Sequence, residues 1–141
     1  MPSRYIPAGL RRLIIERTQQ CCEYCLLDQQ DTPATHEIDH VIAGKHGGQT
    51  QSENLALACL KCNRLKGSDL TALDPLDGSV VPLFNPRLQV WKENFEIAGV
   101  LIRGVTPTGR ATVALLRLND RHRLGVRQDL MDVGRFPPSW I

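Results

Sequence analysis

The stretches CEYC at residues 22–25 and HEIDHVIAGKHGGQTQSENLALACLKCNRLKG at residues 36–67 decide the fold of this chain. Together they contain two Cys-x-x-Cys pairs, Cys22 with Cys25 and Cys59 with Cys62. Each such turn presents two sulfurs to one point, and Zn²⁺ in structural sites takes four ligands of this kind in a tetrahedron. The sequence therefore predicts a structural four-cysteine zinc site that closes the base of the intervening loop.

The composition of the whole chain is that of an ordinary globular protein, and its cysteines are expected to be reduced thiols. The chain has 141 residues, 42% of them hydrophobic, and five cysteines, an odd number. Its best N-terminal apolar run, residues 13–15, is too short for a signal peptide or a membrane span. We therefore expect a cytoplasmic protein with no membrane partner. Cys21 is left over, and we expect a small buried or semi-exposed thiol there because Cys22 has the ligand spacing.

Residues 35–67 resemble the HNH endonucleases. In that family a ββα-metal motif carries Asp-His on its first strand, an Asn near the start of the second, and a final His or Asn at the head of the helix. Asp39-His40, Asn54 and Asn63 match this pattern in type and spacing, and a CNxxKG sequence and a Gly-Gly pair accompany them. The resemblance implies an α+β fold with a ββα-metal HNH core and a structural zinc site of four cysteines.

The resemblance also implies roles for four side chains. His40 would be the general base, because imidazole titrates near neutral pH and can accept a proton from water. Asp39 and Asn63 would supply oxygen ligands to one catalytic divalent cation, and such hard ligands suit Mg²⁺ or Mn²⁺. Asn54 would orient the strand and loop beside His40. An alternative for Asn63 is a helix N-cap.

The implied activity is hydrolysis of DNA phosphodiester bonds, with RNA and the oligomeric state left open. Arg64 and Lys66 follow Asn63, and we expect both to direct positive charge toward a nucleic acid backbone. His46, next to Gly47, is a further candidate for phosphate contact. His36 either faces the site or lies exposed, and the sequence does not decide between these positions.

The predicted elements follow the same order as the motif. Apolar spacing predicts a helix over residues 7–20, strands over 37–43 and 55–58, a loop over 45–53, and a helix over 63–73. A helix/β-hairpin/helix layer follows: a short helix opened by Asn85-Pro86, a hairpin with arms at 96–103 and 110–119 around a turn at 106–109, and a helix over 120–133. We expect one domain over residues 1–141, with the HNH core at about 20–73 and the accessory layer at about 80–135.

Net charge does not decide the partner, since the formal value is only +2. In residues 74–141 every basic side chain except Lys92 is an arginine. Arginine binds phosphate well, but a solvated helix face has the same composition. The role of these C-terminal arginines therefore stays open.

Two other functions fit parts of the sequence. Residues 36–40 match HExxH, the zinc metalloprotease motif, but that motif requires a long helix. The segment that contains it is bounded by Pro33 and Gly44, which makes it too short for such a helix, and it is rich in β-branched residues. A second alternative is a non-catalytic, zinc-stabilised nucleic-acid-binding module that kept only the fold. Such a module could have lost Asp39, His40 or Asn63, and all three are present.

Overall fold

The computed structural model describes residues 5–141, and these divide into two compact units. Unit 1 runs to Leu70 and also takes in Asn85–Leu88, and unit 2 comprises Thr71–Phe84 and Gln89–Ile141. The expectation of one domain over residues 1–141 stays a prediction, and residues 1–4 lie outside the described part. No helix in that part combines the length and the apolar character needed to cross a membrane.

Unit 1 has the predicted ββα order. Helix α1 (Ala8–Arg17) precedes strand β1 (Glu37–His40), strand β2 (Leu55–Ala58) and helix α2 (Leu60–Lys66). The two strands are antiparallel, and β2 is buried along its whole length because all four of its residues are small or apolar. Ile14 of α1 packs against Leu55 and Leu57 of β2 in the core. The mixed α+β class is therefore confirmed.

Helix α1 and strand β1 are both shorter than predicted. The helix ends at Arg17 because Gln19 and Gln20 adopt positive φ angles of 52° and 66°. The strand ends at His40, after which Val41 donates its N–H to the backbone oxygen of Asn54 at 2.9 Å. The chain leaves the strand at this point and enters the loop.

Helix α2 begins earlier and ends earlier than the predicted 63–73. Its N-cap is Cys59, whose Sγ accepts a hydrogen bond from the Cys62 N–H at 3.4 Å. Its end is set by Gly67, which has a φ of +51°. The N-cap interpretation of Asn63 is therefore wrong, since Asn63 lies within the helix.

Residues that we assigned to the end of this helix form a hairpin in unit 2. Strand β3 (Thr71–Leu73) pairs with strand β4 (Val80–Pro82) in an antiparallel arrangement. The other elements of unit 2 are α3 (Trp91–Asn94), β5 (Phe95–Ala98), β6 (Leu101–Gly104), α4 (Pro107–Leu115) and α5 (Arg121–Asp132). Helix α5 confirms the predicted last helix, with Asp120 as its N-cap.

The predicted arms of the β5–β6 hairpin need correction. The turn lies at Gly99, which has a φ of +60°, and not at residues 106–109. Thr106 is instead the N-cap of α4, where its Oγ1 accepts from the Gly109 N–H at 3.0 Å and Pro107 takes the first helical position. A Cβ on Gly109 would lie 2.0 Å from the Asn94 backbone oxygen, so only glycine permits this packing.

The short helix in unit 2 also differs from the prediction. Asn85-Pro86 opens no helix, since α3 begins at Trp91 and lasts four residues. Phe95 belongs to strand β5, where its ring lies 5.2 Å from the Phe84 ring and 5.0 Å from the Trp91 ring between centroids. These three aromatic side chains are buried and form part of the core of unit 2.

The C-terminal arginines are partly structural. Arg127 is buried and donates to the Val100 backbone oxygen at 2.7 Å and to Asn119 Oδ1 at 2.9 Å. Arg123 is buried as well. These two side chains therefore face the interior of unit 2 and do not form a free phosphate-binding surface.

We predict that unit 2 loses stability in acid through Asp74. This buried carboxylate accepts two hydrogen bonds from Arg110, at 3.0 and 2.9 Å, and they lower the pKa of Asp74 below its ordinary value. A lowered folded-state pKa stabilises the protein above the unfolded value of about 3.9, and this stability is lost as pH falls through the folded value. Melting temperatures between pH 7 and pH 2 should show a steeper loss for the wild type than for Asp74→Asn.

The matched control is Glu96→Gln, which removes the exposed ion pair between Glu96 and Arg103. Exposed pairs contribute little, so this variant should follow the wild-type curve. Equal acid dependence of the wild type and Asp74→Asn would contradict the assignment.

Candidate active site

The four predicted zinc ligands converge in unit 1. Their sulfur atoms all lie within 4.8 Å of one another, and the Sγ atoms of Cys25 and Cys59 are 3.7 Å apart. A tetrahedral ion with metal–sulfur bonds of about 2.3 Å requires sulfurs about 3.8 Å apart. All four side chains are buried, and the residues are Cys22, Cys25, Cys59 and Cys62. The donor set and spacing fit zinc, so the predicted cluster is confirmed as one that could hold it.

The two turns support their sulfurs with backbone groups. The Cys25 N–H donates to Cys22 Sγ at 3.5 Å, and the Cys62 N–H donates to Cys59 Sγ at 3.4 Å. Burial raises the pKa of Cys22 and of Cys62, whereas hydrogen bonds, first that of Cys22, lower the pKa of Cys59. Buried thiols of this kind release their protons when they bind a metal cation as thiolates. Metal binding is therefore coupled to pH.

The leftover cysteine lies outside this cluster. Cys21 is buried, and its Sγ donates to the Gln19 backbone oxygen at 3.6 Å. It forms no part of the four-sulfur group. This placement agrees with the expected small buried thiol.

The first cysteine turn is joined to β2 through Glu23. Its backbone N–H donates to the Leu57 oxygen at 2.8 Å, and its carboxylate accepts from the Leu57 N–H at 2.9 Å. Arg87 forms an ion pair with the other oxygen of the same carboxylate. The second turn follows β2 directly, so both halves of the cluster are fixed to the same strand.

His40 lies at the end of β1 and is half-buried. Its Nε2 is 2.9 Å from the Thr50 hydroxyl, so the loop after Gly48 contacts the imidazole directly. Sequence reasoning did not identify Thr50. The loop around Thr50 is polar and has no sequence pattern that marks this hydroxyl. Its contact with His40 is evident only from the folded structure.

Asp39 is buried and its carboxylate has two side-chain partners. The Tyr24 hydroxyl donates to Oδ2 at 2.8 Å, and the Lys66 Nζ lies 3.2 Å from the same oxygen. Burial raises the pKa of Asp39, and the Lys66 charge and the Tyr24 hydrogen bond oppose that rise. A buried carboxylate needs such partners, because an unpaired charge in the interior is strongly disfavoured.

The placement of Lys66 corrects the expectation that it points toward a nucleic acid. Its side chain is 3% exposed, and its ammonium also donates to the backbone oxygens of Val41 at 3.1 Å and His40 at 3.4 Å. The attraction of the buried Asp39 carboxylate turns the lysine inward. Lys66 therefore holds the end of β1 and is not exposed to solvent.

Asn63 lies within α2, facing β1. Its side-chain amide donates to the carboxylate of Glu37, two residues before Asp39 on the same strand. Side chains two apart on a strand lie on one face, so Glu37 and Asp39 face Asn63 and Lys66 together. Sequence reasoning did not identify Glu37, although its position two residues before Asp39 on a strand indicates that the two carboxylates share one face.

Asp39, His40 and Asn63 line one open cleft of about 350 Å³ in unit 1. Three glycines, Gly44, Gly48 and Gly67, line it as well and add no side chains to its wall. The three residues predicted to act together are therefore brought to one cavity.

Residues 22–69 match the family model described as HNH endonuclease. The resemblance read from the sequence is confirmed for this segment, and it implies a nucleic acid as the substrate class. Among curated proteins and among solved structures, no match was found.

Within the HNH segment, Asn54 holds the loop that follows β1. Its amide donates to the backbone oxygens of Ile42 and Gln49, both at 2.9 Å, and its Oδ1 accepts from the Ile42 N–H at 2.9 Å. A Cβ on Gly48 would lie 1.6 Å from the Ile42 oxygen, so the loop can close only over a glycine. This geometry supports the orienting role expected of Asn54, which stays a prediction.

The remaining predicted residues of the HNH segment have different surroundings. Arg64 and His46 are exposed, and neither is among the residues that line the cleft. His36 is buried, and its Nε2 donates to the Leu27 backbone oxygen at 2.7 Å. The HExxH interpretation is wrong, because the segment that follows His36 is strand β1 and not a helix.

We predict one zinc ion per chain, bound by the four cysteines of the HNH segment. Cys59→Ser replaces a thiolate ligand with a hydroxyl that can still cap α2 but is a poor zinc ligand, so this variant should lose zinc and unfold at a lower temperature. Metal analysis and thermal unfolding of the purified variants measure both effects.

The matched control is Cys21→Ser, a neighbouring buried cysteine outside the cluster. It should retain the wild-type zinc content. A folded wild-type protein without zinc, or equal metal loss in both variants, would contradict the four-cysteine assignment.

Proposed function

We propose that this chain is an endonuclease that hydrolyses phosphodiester bonds of DNA, using His40 as general base and a divalent cation. The observation that supports this most is the meeting of Asp39, His40 and Asn63 in one open cleft of the HNH segment. A cleft open to solvent can admit both water and a phosphodiester. The four-cysteine zinc site has a structural role in this proposal.

His40 accepts the proton of the attacking water. An imidazole is suited to this task because its ordinary pKa lies near neutral pH, where it can accept a proton and later release it. The Thr50 hydroxyl at 2.9 Å orients the ring, and Asn54 holds the backbone just after it. The base is therefore fixed from two directions before substrate binds.

Asp39 and Asn63 would hold the divalent cation, which we propose to be Mg²⁺ or Mn²⁺. The donors fit such an ion, because a carboxylate and an amide oxygen are the hard ligands that both ions prefer. The Asn63 amide nitrogen is directed to Glu37, which leaves the amide oxygen for another ligand. When bound, the cation stabilises the negative charge that develops on the phosphate and on the leaving oxygen.

Arg64 and His46 are the residues that we propose to contact the nucleic acid backbone. Both are exposed on the HNH segment and carry hydrogen-bond donors, and phosphate oxygens accept such bonds. Lys66 is left out of this group because it is buried against Asp39. The cytoplasm suits the protein, since the four thiols of the cysteine cluster must stay reduced to bind metal.

We predict that His40→Ala abolishes cleavage without affecting the fold. Supercoiled plasmid is incubated with the metal-stripped, zinc-retaining protein and then with added Mg²⁺ or Mn²⁺. Loss of the general base should reduce the nicking rate by about a hundredfold or more. Zinc content and DNA binding should stay at wild-type values, because His40 is no ligand of the cysteine cluster.

The matched control is His122→Ala, which removes an exposed histidine of α5 in unit 2. It should cleave at the wild-type rate. A His40→Ala protein that cleaves within about tenfold of the wild type would contradict the proposed base. A wild-type protein that binds DNA but never cleaves it would favour the non-catalytic binding module.

A further inference from the structure

The Asp39 carboxylate is held from both halves of the four-cysteine cluster. Tyr24 lies between Cys22 and Cys25 in the first cysteine turn, and its side chain is almost fully buried. Lys66 lies four residues after Cys62, at the end of the helix that the second turn opens. Each turn therefore contributes one side chain that bonds to the same carboxylate.

These contacts divide the two oxygens of Asp39 into different roles. Oδ2 accepts from the Tyr24 hydroxyl at 2.8 Å and lies 3.2 Å from the Lys66 ammonium. Oδ1 has the Lys66 ammonium at 3.4 Å, near the limit of a hydrogen bond. A carboxylate offers about four lone-pair positions, so Oδ1 keeps the capacity for a further ligand while Oδ2 is fixed.

We propose that Tyr24 and Lys66 are positioning residues that aim Asp39 Oδ1 at the catalytic cation and so couple the cysteine cluster to the cleft. This inference rests on the proposed function. Tyr24 fixes the direction of the carboxylate, and Lys66 fixes both the carboxylate and the end of β1, since it also donates to the His40 backbone oxygen. An ordered cysteine cluster is therefore a condition for an ordered cation site.

The chemistry of Tyr24 distinguishes this role from simple packing. Its aromatic ring fills space in the core, as a phenylalanine would, whereas its hydroxyl donates a hydrogen bond to Asp39. Groups that orient a metal ligand through such a hydrogen bond change metal affinity or activity about 10- to 100-fold when they are removed. Removing the hydroxyl therefore tests positioning while leaving the packing nearly unchanged.

The experiment compares Tyr24→Phe with Tyr5→Phe in the full-length, zinc-loaded protein. Tyr5 is the other tyrosine of the chain and is 74% exposed. Five quantities are measured: zinc content, melting temperature, the Kd for Mn²⁺ by calorimetry, kcat for plasmid nicking and its KM. Tyr24→Phe should keep its zinc and its KM, while Mn²⁺ affinity and kcat each fall about tenfold. Tyr5→Phe should match the wild type in all five.

A double-mutant cycle with Asp39→Asn tests whether Tyr24 acts through Asp39. In the Asp39→Asn background the Tyr24→Phe change should have no further effect on Mn²⁺ affinity, because the ligand that it positions is already altered. Equal effects in both backgrounds would overturn the proposal. So would a Tyr24→Phe protein with a lower melting temperature but Mn²⁺ affinity and kcat within about twofold of the wild type.

This experiment distinguishes a failure of the positioning role from a failure of the nuclease assignment. If the wild type binds Mn²⁺ but cuts no DNA, and Tyr24→Phe weakens the Mn²⁺ binding, the positioning role stands and the nuclease assignment falls. If the wild type cuts DNA and Tyr24→Phe changes neither quantity, the nuclease assignment stands and the positioning role falls. If the wild type neither binds Mn²⁺ nor cuts DNA, both are overturned.

Discussion

The convergence of four buried sulfurs is the constraint on which the first unit depends. Two of them lie in a turn that is hydrogen-bonded to β2 through Glu23, and two follow β2 directly and open α2. In a unit this small, a metal bound by four thiolates supplies stability that a short hydrophobic core supplies only in part. The order of strand, turn and helix around this point determines where the polar residues of the HNH segment lie.

Those polar residues are held by contacts of β1 with α2 and with the loop that follows the strand. Toward α2, Glu37 contacts Asn63 and Asp39 contacts Lys66, and the second of these pairs is buried. Toward the loop, His40 contacts Thr50. Buried networks of this kind are costly unless every member is satisfied, and their partners then fix each side chain in one direction. The cleft is therefore ordered by contacts that lie mostly outside it.

The features that could be predicted from the sequence are those set by the spacing of neighbouring residues. The two Cys-x-x-Cys pairs, the Asp39-His40 pair and the strand at residues 55–58 were all placed correctly because each is set by a few neighbouring residues. The final helix at Asp120 was found for the same reason, since an acidic N-cap precedes its pattern. Thr106-Pro107 carried an equally local signal for a helix start, but we interpreted it as a turn.

What the sequence could not predict depends on partners far along the chain. The inward direction of Lys66 is set by Asp39, and the role of Thr50 is set by His40; neither pairing has a sequence signature. The early end of α2 at Gly67 was missed because apolar residues continue beyond it, and they pair as β3 with β4. Long-range contacts override local preference in these cases.

Hydrogen exchange measured before and after removal of zinc with a chelator tests the central claim most directly. That claim is that the four-cysteine cluster holds β1, β2 and α2 in the arrangement that forms the cleft. The account predicts that the hydrogen-bonded backbone amides of β1, β2 and α2 and of the residues next to them, such as those of Val41, Leu57 and Asn63, are protected with zinc and lose that protection without it. Equal protection of these amides in the zinc-free protein would contradict the account.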